Sequence, residues 1–155
     1  MQPWLDDEFV EHSRILLDSF RRYLGRELMD RSGDALLDAK RLYEAPFVVV
    51  SHGLQADPLI TYANKSAQDL WEGDRKALLS MPSRMTAEPM HRDERTLLLA
   101  RTKEQGFADN YQGIRISLKS RRFRIEEATL WNLVDAKGKM AGQAATFSKW
   151  EYLPE

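Results

Sequence analysis

The spacing of apolar residues changes its period at Pro46, and that change constrains the fold of this chain more than any other feature. Before it, Phe9, Leu16, Phe20, Tyr23, Leu24 and Leu28 recur at helical steps, which gathers them into one stripe of an amphipathic helix. Gly25 interrupts the stripe at a cost of about 1 kcal/mol relative to alanine. Arg31 to Asp34 read as a stop, and helical spacing resumes from Ala35 to Tyr43. After Pro46 the runs are short and β-branched. Phe47 to Ser51 holds three consecutive valines, and Leu59 to Ala63 supplies a second strand. Asp57 and Pro58 between them are turn residues, so the two strands are expected to pair as a hairpin. Charge changes at the same place, from net −3 up to Ala45 to net +2 beyond it. These shifts divide the chain into an N-terminal helical extension, 1–45, and a mixed domain, 46–155.

Within the second part, Asn64 is placed to cap a helix carrying Ala67, Leu70 and Trp71 on one face. Thr86 with Pro89 opens a longer helix centred on Leu97 to Ala100 and closed by Gly106. Three strands follow, about Tyr111 to Leu118, Arg122 to Leu133 and Met140 to Trp150, the last two joined by a turn at Asp135 to Gly138. Side chains alternate with period two. Tyr111, Gly113, Arg115 and Ser117 therefore share a polar face, and Gln112, Ile114, Ile116 and Leu118 an apolar one.

The 155 residues carry 23 Lys plus Arg against 24 Asp plus Glu, a net charge of −1. That balance gives no overall attraction to nucleic acid or to an anionic membrane, and neither is expected as a partner. There is no cysteine, which removes disulfides, thiolate nucleophiles, iron–sulfur clusters and cysteine-bound zinc. The first twenty residues include Asp6, Asp7, Glu8 and Glu11 and lack a continuous apolar run. No leader or membrane span is expected, and the location expected is cytoplasmic. His12, His52 and His91 form no metal-binding spacing. His52 beside Ser51 is no nucleophile–base pair, because neighbouring strand residues point to opposite faces.

Nine segments in order carry a family resemblance: Ser51-His52-Gly53, Tyr62-Ala63-Asn64, Leu70-Trp71-Glu72, Pro82-Ser83-Arg84, Thr86-Ala87-Glu88, Tyr111 to Ser117, Arg122 to Ile125, Trp131-Asn132 and Gly142 to Phe147. Together they resemble the MEKHLA domain, a PAS-like family. In plants, similar domains end the class III homeodomain leucine-zipper transcription factors. The resemblance covers about Pro46 to Trp150 and much of the preceding helix. It leaves no room for a homeodomain or zipper and implies the free-standing type typical of bacteria and cyanobacteria. It also implies an α+β, PAS-like five-stranded antiparallel sheet with flanking helices that enclose a pocket. The function it implies is a sensory or small-ligand-binding signalling module, not an enzyme.

The inner sheet face is the expected pocket wall. The candidate ligand-binding residues are Tyr111, Arg115, Ser117, Arg124, Glu126, Trp131 and Gln143, with Arg115 suited to bidentate contact with a carboxylate or phosphate. The opposing reading pairs Arg115 or Arg124 with Glu126 or Glu127 on a solvated face. No cofactor is specified. Cysteine-adduct flavin chemistry is excluded by composition, while a non-covalent small ligand stacked on Trp71, Tyr62 or Trp131 stays open. An acid–base enzyme with Glu126 as base and a pure protein-interaction module are the alternatives. The N-terminal stripe can pack on the chain's own sheet or on a second copy, and the expectation is a homodimer through that helix.

Overall fold

In the computed structural model, which describes residues 2–154, the chain is built around one antiparallel sheet with helices on both faces. A 3₁₀ turn, Pro3–Leu5, leads into α1, Asp7–Leu24, and α2 spans Ala35–Tyr43. Each is capped by an aspartate. Asp6 accepts from the Glu8 amide at 2.9 Å and Asp34 from the Leu36 amide at 3.1 Å, satisfying donors that a helix start leaves free. Strands β1, Val48–His52, and β2, Ile60–Ala63, pair as the expected hairpin. Helices α3, Lys65–Trp71, and α4, Arg75–Leu78, follow. A 3₁₀ turn, Ser83–Thr86, then leads to α5, Pro89–Gln105. The remaining strands are β3, Phe107–Ile116, β4, Arg122–Val134, β5, Met140–Phe147, and β6, Lys149–Tyr152.

Asn64 does more than cap α3. Its Oδ1 accepts from the Ala67 and Val49 amides while its Nδ2 donates to the Phe47 and Leu42 carbonyls. One fully buried side chain thus ties α2, β1 and α3 together with all its polar groups satisfied.

The sheet order is β2-β1-β5-β4-β3, with β6 also pairing with β4. The single strand expected over Met140 to Trp150 is broken at Ser148, yet both halves keep one register: Thr129 lies opposite Thr146, and Glu126 opposite Lys149. The break faces Glu127, whose φ of 52° is left-handed and interrupts the ladder there. Five lanes therefore hold six strands.

The two faces are covered differently. On the outer face, α1 lies over β4 and buries Phe9, Leu16, Leu17 and Phe20 against Val49, Tyr62, Trp131 and Leu133. Phe20 meets Trp131 edge-on at 5.0 Å, and the Trp131 indole N–H donates to the Leu16 carbonyl at 3.2 Å. The stripe expected to seat a second copy is thus occupied by the chain's own sheet. Side chains buried this completely contribute roughly 1.5–3 kcal/mol each, and those four are no longer free for an interface. Residues of α1 and α2 share a core with the strands. On the inner face, α3 and α4 pack Ala67, Leu70, Trp71 and Leu78 on Val48, Phe123, Ile125, Ala128 and Phe147. The polar face of β3 turns inward: Gly113, Arg115 and Ser117 are buried, while Ile114 and Ile116 stay half-buried. Among the described residues, no helix is long and apolar enough to cross a membrane.

Candidate functional site

Between the inner sheet face and α5 lies a cavity of about 70 Å³. Its apolar wall comes from Val50, Ile60, Trp71, Leu99, Ile125, Leu130, Ala145 and Phe147, and its polar wall from His52, Ser83, Thr86, Arg95, Tyr111, Arg115 and Gln143. A single water needs roughly 10–15 Å³ measured this way, so the space suits a few waters or a ligand of a handful of heavy atoms.

The polar groups form a directed chain. Arg95 Nη2 donates to Ser83 Oγ at 2.7 Å, and Ser83 Oγ lies 2.9 Å from His52 Nδ1. The serine hydroxyl, already accepting from the guanidinium, donates its own proton to that ring nitrogen. His52 Nε2 then donates to Gln143 Oε1 at 3.3 Å, and Gln143 Nε2 donates to the Leu99 carbonyl at 2.9 Å and to Asn132 Oδ1 at 3.2 Å. The imidazole is neutral in this arrangement. Burial, reinforced by the neighbouring Arg95 charge and opposed by the Gln143 bond, lowers its pKa from 6.5 to about 4. The chain begins and ends on α5, and so couples that helix to β1 and β5.

Local sequence places each member. His52 ends β1 directly opposite Gln143 on β5. Gly142 next to it makes this approach possible: at its φ of 146°, a Cβ would lie 2.1 Å from the His52 carbonyl oxygen. Ser83 is anchored by its amide on the Pro58 carbonyl at 2.8 Å and by Thr86 Oγ1, which donates to the Ser83 carbonyl at 2.8 Å. Arg95 sits on the side of α5 that buries Leu98 and Thr102. Tyr111 and Arg115 come from β3. Arg115 Nη2 donates to Tyr111 Oη at 3.3 Å and Nη1 to the Ile114 carbonyl at 2.9 Å, while the Tyr111 hydroxyl donates to Glu94 at 3.0 Å. Glycine at 113 leaves room for that tyrosine ring, whose hydroxyl would be 2.2 Å from a Cβ.

Of the seven residues expected from the sequence, the fold brings Tyr111, Arg115 and Gln143 to the cavity. The other four lie elsewhere. Ser117 donates to Glu72 at 2.6 Å and accepts from the Lys119 and Arg121 amides, so it organises the β3–β4 turn. Arg124 bonds Glu151 at 2.6 Å and lies 3.8 Å from Glu126, an ion cluster on the partly solvated face. Glu126 therefore lies outside this cavity. Trp131 belongs to the outer core beneath α1. The reason is the strand irregularity: the left-handed Glu127 resets the alternation along β4, so Ile125 and Leu130 both face the cavity. Sequence reading missed Arg95, Ser83 and Thr86, and set His52 aside. A charge at the buried position of a helix, four residues before Leu99, was the available signal for Arg95. Ser51 pairs with His12, 3.0 Å away on the outer face, and with Thr61 at 2.8 Å.

The MEKHLA domain family model matches residues 10–152 of this chain. Among curated proteins, homeobox-leucine zipper protein HOX29 of Oryza sativa subsp. indica is 28% identical over 146 residues, 90% of this chain and 17% of that protein. Homeobox-leucine zipper protein ATHB-9 of Arabidopsis thaliana is 28% identical over 131 residues, 83% of this chain and 15% of that protein. This chain thus spans about a sixth of the length of those relatives. They are plant proteins, so the bacterial or cyanobacterial type implied by the resemblance is not borne out. Among solved structures, the PAS domain of a Colwellia psychrerythraea protein matches with a TM-score of 0.64 at 17% identity, covering 76% of this chain and 94% of that one. A light-oxygen-voltage domain studied with a flavin analogue matches at 0.58 and 16% identity, covering 76% and 84%. An RNA-binding light-oxygen-voltage receptor matches at 0.59 and 16% identity, covering 76% and 35%. These likenesses show the PAS-like fold. A flavin does not fit this cavity: about 70 Å³ is well below the roughly 300 Å³ at which ligand pockets for larger molecules begin, and no cysteine exists to form an adduct.

Proposed function

The chain belongs to the MEKHLA domain family and has a PAS-like fold, and from that premise we propose that it is a sensory module in which a small ligand in the cavity between the sheet and α5 sets the state of that helix. The observation that carries this reading is the hydrogen-bond chain Arg95–Ser83–His52–Gln143, which lines the cavity and returns to α5 at the Leu99 carbonyl. A ligand that competes for Ser83, His52 or Gln143 must rearrange the next group, because these side chains bond one another. Helix α5 is suited to move: it buries few of its side chains, chiefly Leu98 and Thr102, whereas α1 is held by several fully buried residues. Output then passes to whatever partner meets α5.

Native mass spectrometry of freshly purified protein, followed by hydrogen exchange before and after ligand removal, tests this reading. A bound small mass is expected, and its removal should speed exchange along α5 while leaving α1 unchanged. Protein without any bound mass, together with exchange that is equal in α5 and α1 and insensitive to extraction, would overturn it.

A further inference from the structure

The charged groups around the cavity are unbalanced in one direction. Arg95 reaches it from α5 and Arg115 from β3, and neither forms an ion pair among the described residues. Their donors meet only uncharged groups: Ser83 Oγ, His52 Nδ1, the Ile114 carbonyl and the Tyr111 hydroxyl. No aspartate or glutamate lines the space. Glu94, the nearest carboxylate in the hydrogen-bond network, is exposed and bonded to the tyrosine hydroxyl. The two guanidiniums act on each other as well: burial first, then the Arg115 charge, pushes the Arg95 pKa down to about 10.

Two cations without a counter-ion around a largely apolar hole describe a receptor for an anion with an apolar body. We propose that the cavity binds a small organic monocarboxylate, its carboxylate held by Arg95 and Arg115 and its short hydrocarbon part packed on Ile60, Leu130 and Phe147. This rests on the reading of the module as a ligand sensor and deepens it by naming the ligand class. Guanidinium forks match carboxylate geometry, and the pair gains strength where water is excluded. A single negative charge leaves a net positive environment. A tetrahedral dianion would instead need donors on every side, and the apolar wall would leave several of its oxygens unsatisfied. The volume admits only a handful of heavy atoms, which sets an upper limit near short-chain acids.

Titration calorimetry on the full chain with sodium butyrate, butyramide and sodium phosphate, at constant ionic strength, tests the inference. Butyrate is expected to bind saturably at one per chain, with butyramide about tenfold or more weaker and phosphate failing to compete. Arg115→Gln should weaken butyrate by about tenfold or more and leave butyramide unchanged. Arg115→Lys, which keeps the charge and loses the fork, should also weaken butyrate and serves if the glutamine variant fails to fold. Ala145→Leu keeps both arginines but fills the hole, and should abolish butyrate binding while urea unfolding remains cooperative.

If butyramide binds as tightly as butyrate, or folded Arg115 variants bind butyrate like the wild type, the carboxylate inference fails. The ligand-sensor reading survives that result provided Ala145→Leu still abolishes binding. Phosphate binding with butyrate-like affinity would mark a general anion site and overturn the organic carboxylate. Absence of any saturable heat with acetate through hexanoate overturns the inference outright, and the native mass measurement then decides the broader reading separately.

Discussion

The two faces of this sheet are built from the same strands and serve opposite ends. The outer face is mainly aromatic and aliphatic: Phe9 stacks on Tyr62 at 5.5 Å, Phe20 meets Trp131 edge-on, and α1 covers both. The inner face combines a compact apolar half around Trp71 and Phe123 with a half where His52, Ser83, Arg95, Arg115 and Gln143 surround a hole. Buried polar groups of that kind cost stability unless they are satisfied, and close packing would have been the more stabilising use of the same surface. Where a fold retains a buried and a half-buried arginine without carboxylates opposite an aromatic core, the polar face is the better candidate for function.

The sharpest way to break this comparison is to remove the outer cover. Deleting residues 1–45 exposes Val49, Tyr62, Trp131 and Leu133, and the expected result is loss of cooperative urea unfolding. A truncated chain that still unfolds cooperatively, with only its sedimentation altered, would show that the helix serves an interface and not the core. Phe20→Ala is milder. It should cost about 3–5 kcal/mol by urea denaturation while leaving ligand affinity of the folded protein intact.

The histidines allow one test of both faces. His12 on the outer side and His52 on the inner side each have their pKa lowered from 6.5 to about 4, in both cases chiefly by burial. The unfolded chain therefore binds these protons first as pH falls. Stability is full above pH 6.5 and is lost on acidification from there towards pH 4, by roughly 2–3 kcal/mol per histidine at pH 4.5. His12→Gln and His52→Gln should each remove about half of that loss, measured as the difference in urea unfolding between pH 7 and 4.5. The smallest effect is expected at Arg124→Ala, whose ion pairs are partly solvated. It should shift stability by less than about 1 kcal/mol and leave binding untouched, which separates the surface arginine from Arg115.

Much of this architecture is legible in the sequence. The helical stripe, the valine strand, the Asn64 cap and the Asp135–Gly138 turn are local signals, and the structure realises each of them. Alternation along β3 correctly groups Tyr111, Gly113, Arg115 and Ser117, and their inward face is the polar one. Period two does not show where a strand resets, however, and one left-handed residue at Glu127 is enough to send Trp131 to the outer core. Nor can spacing show that a helix stripe will cover its own sheet, since both packings bury the same area. Arg95 and Ser83 meet His52 only through long-range pairing, which no local pattern encodes.

On the proposed function, small ligands act on the inner face alone. Proton–nitrogen correlation spectra of the isotope-labelled full chain, titrated with sodium butyrate, test it directly. Saturable shifts confined to β1, β5, α5 and the side-chain Nε–H signals of Arg95 and Arg115, with α1 silent, are the predicted result. Shifts centred on α1, or none that saturate, would contradict it.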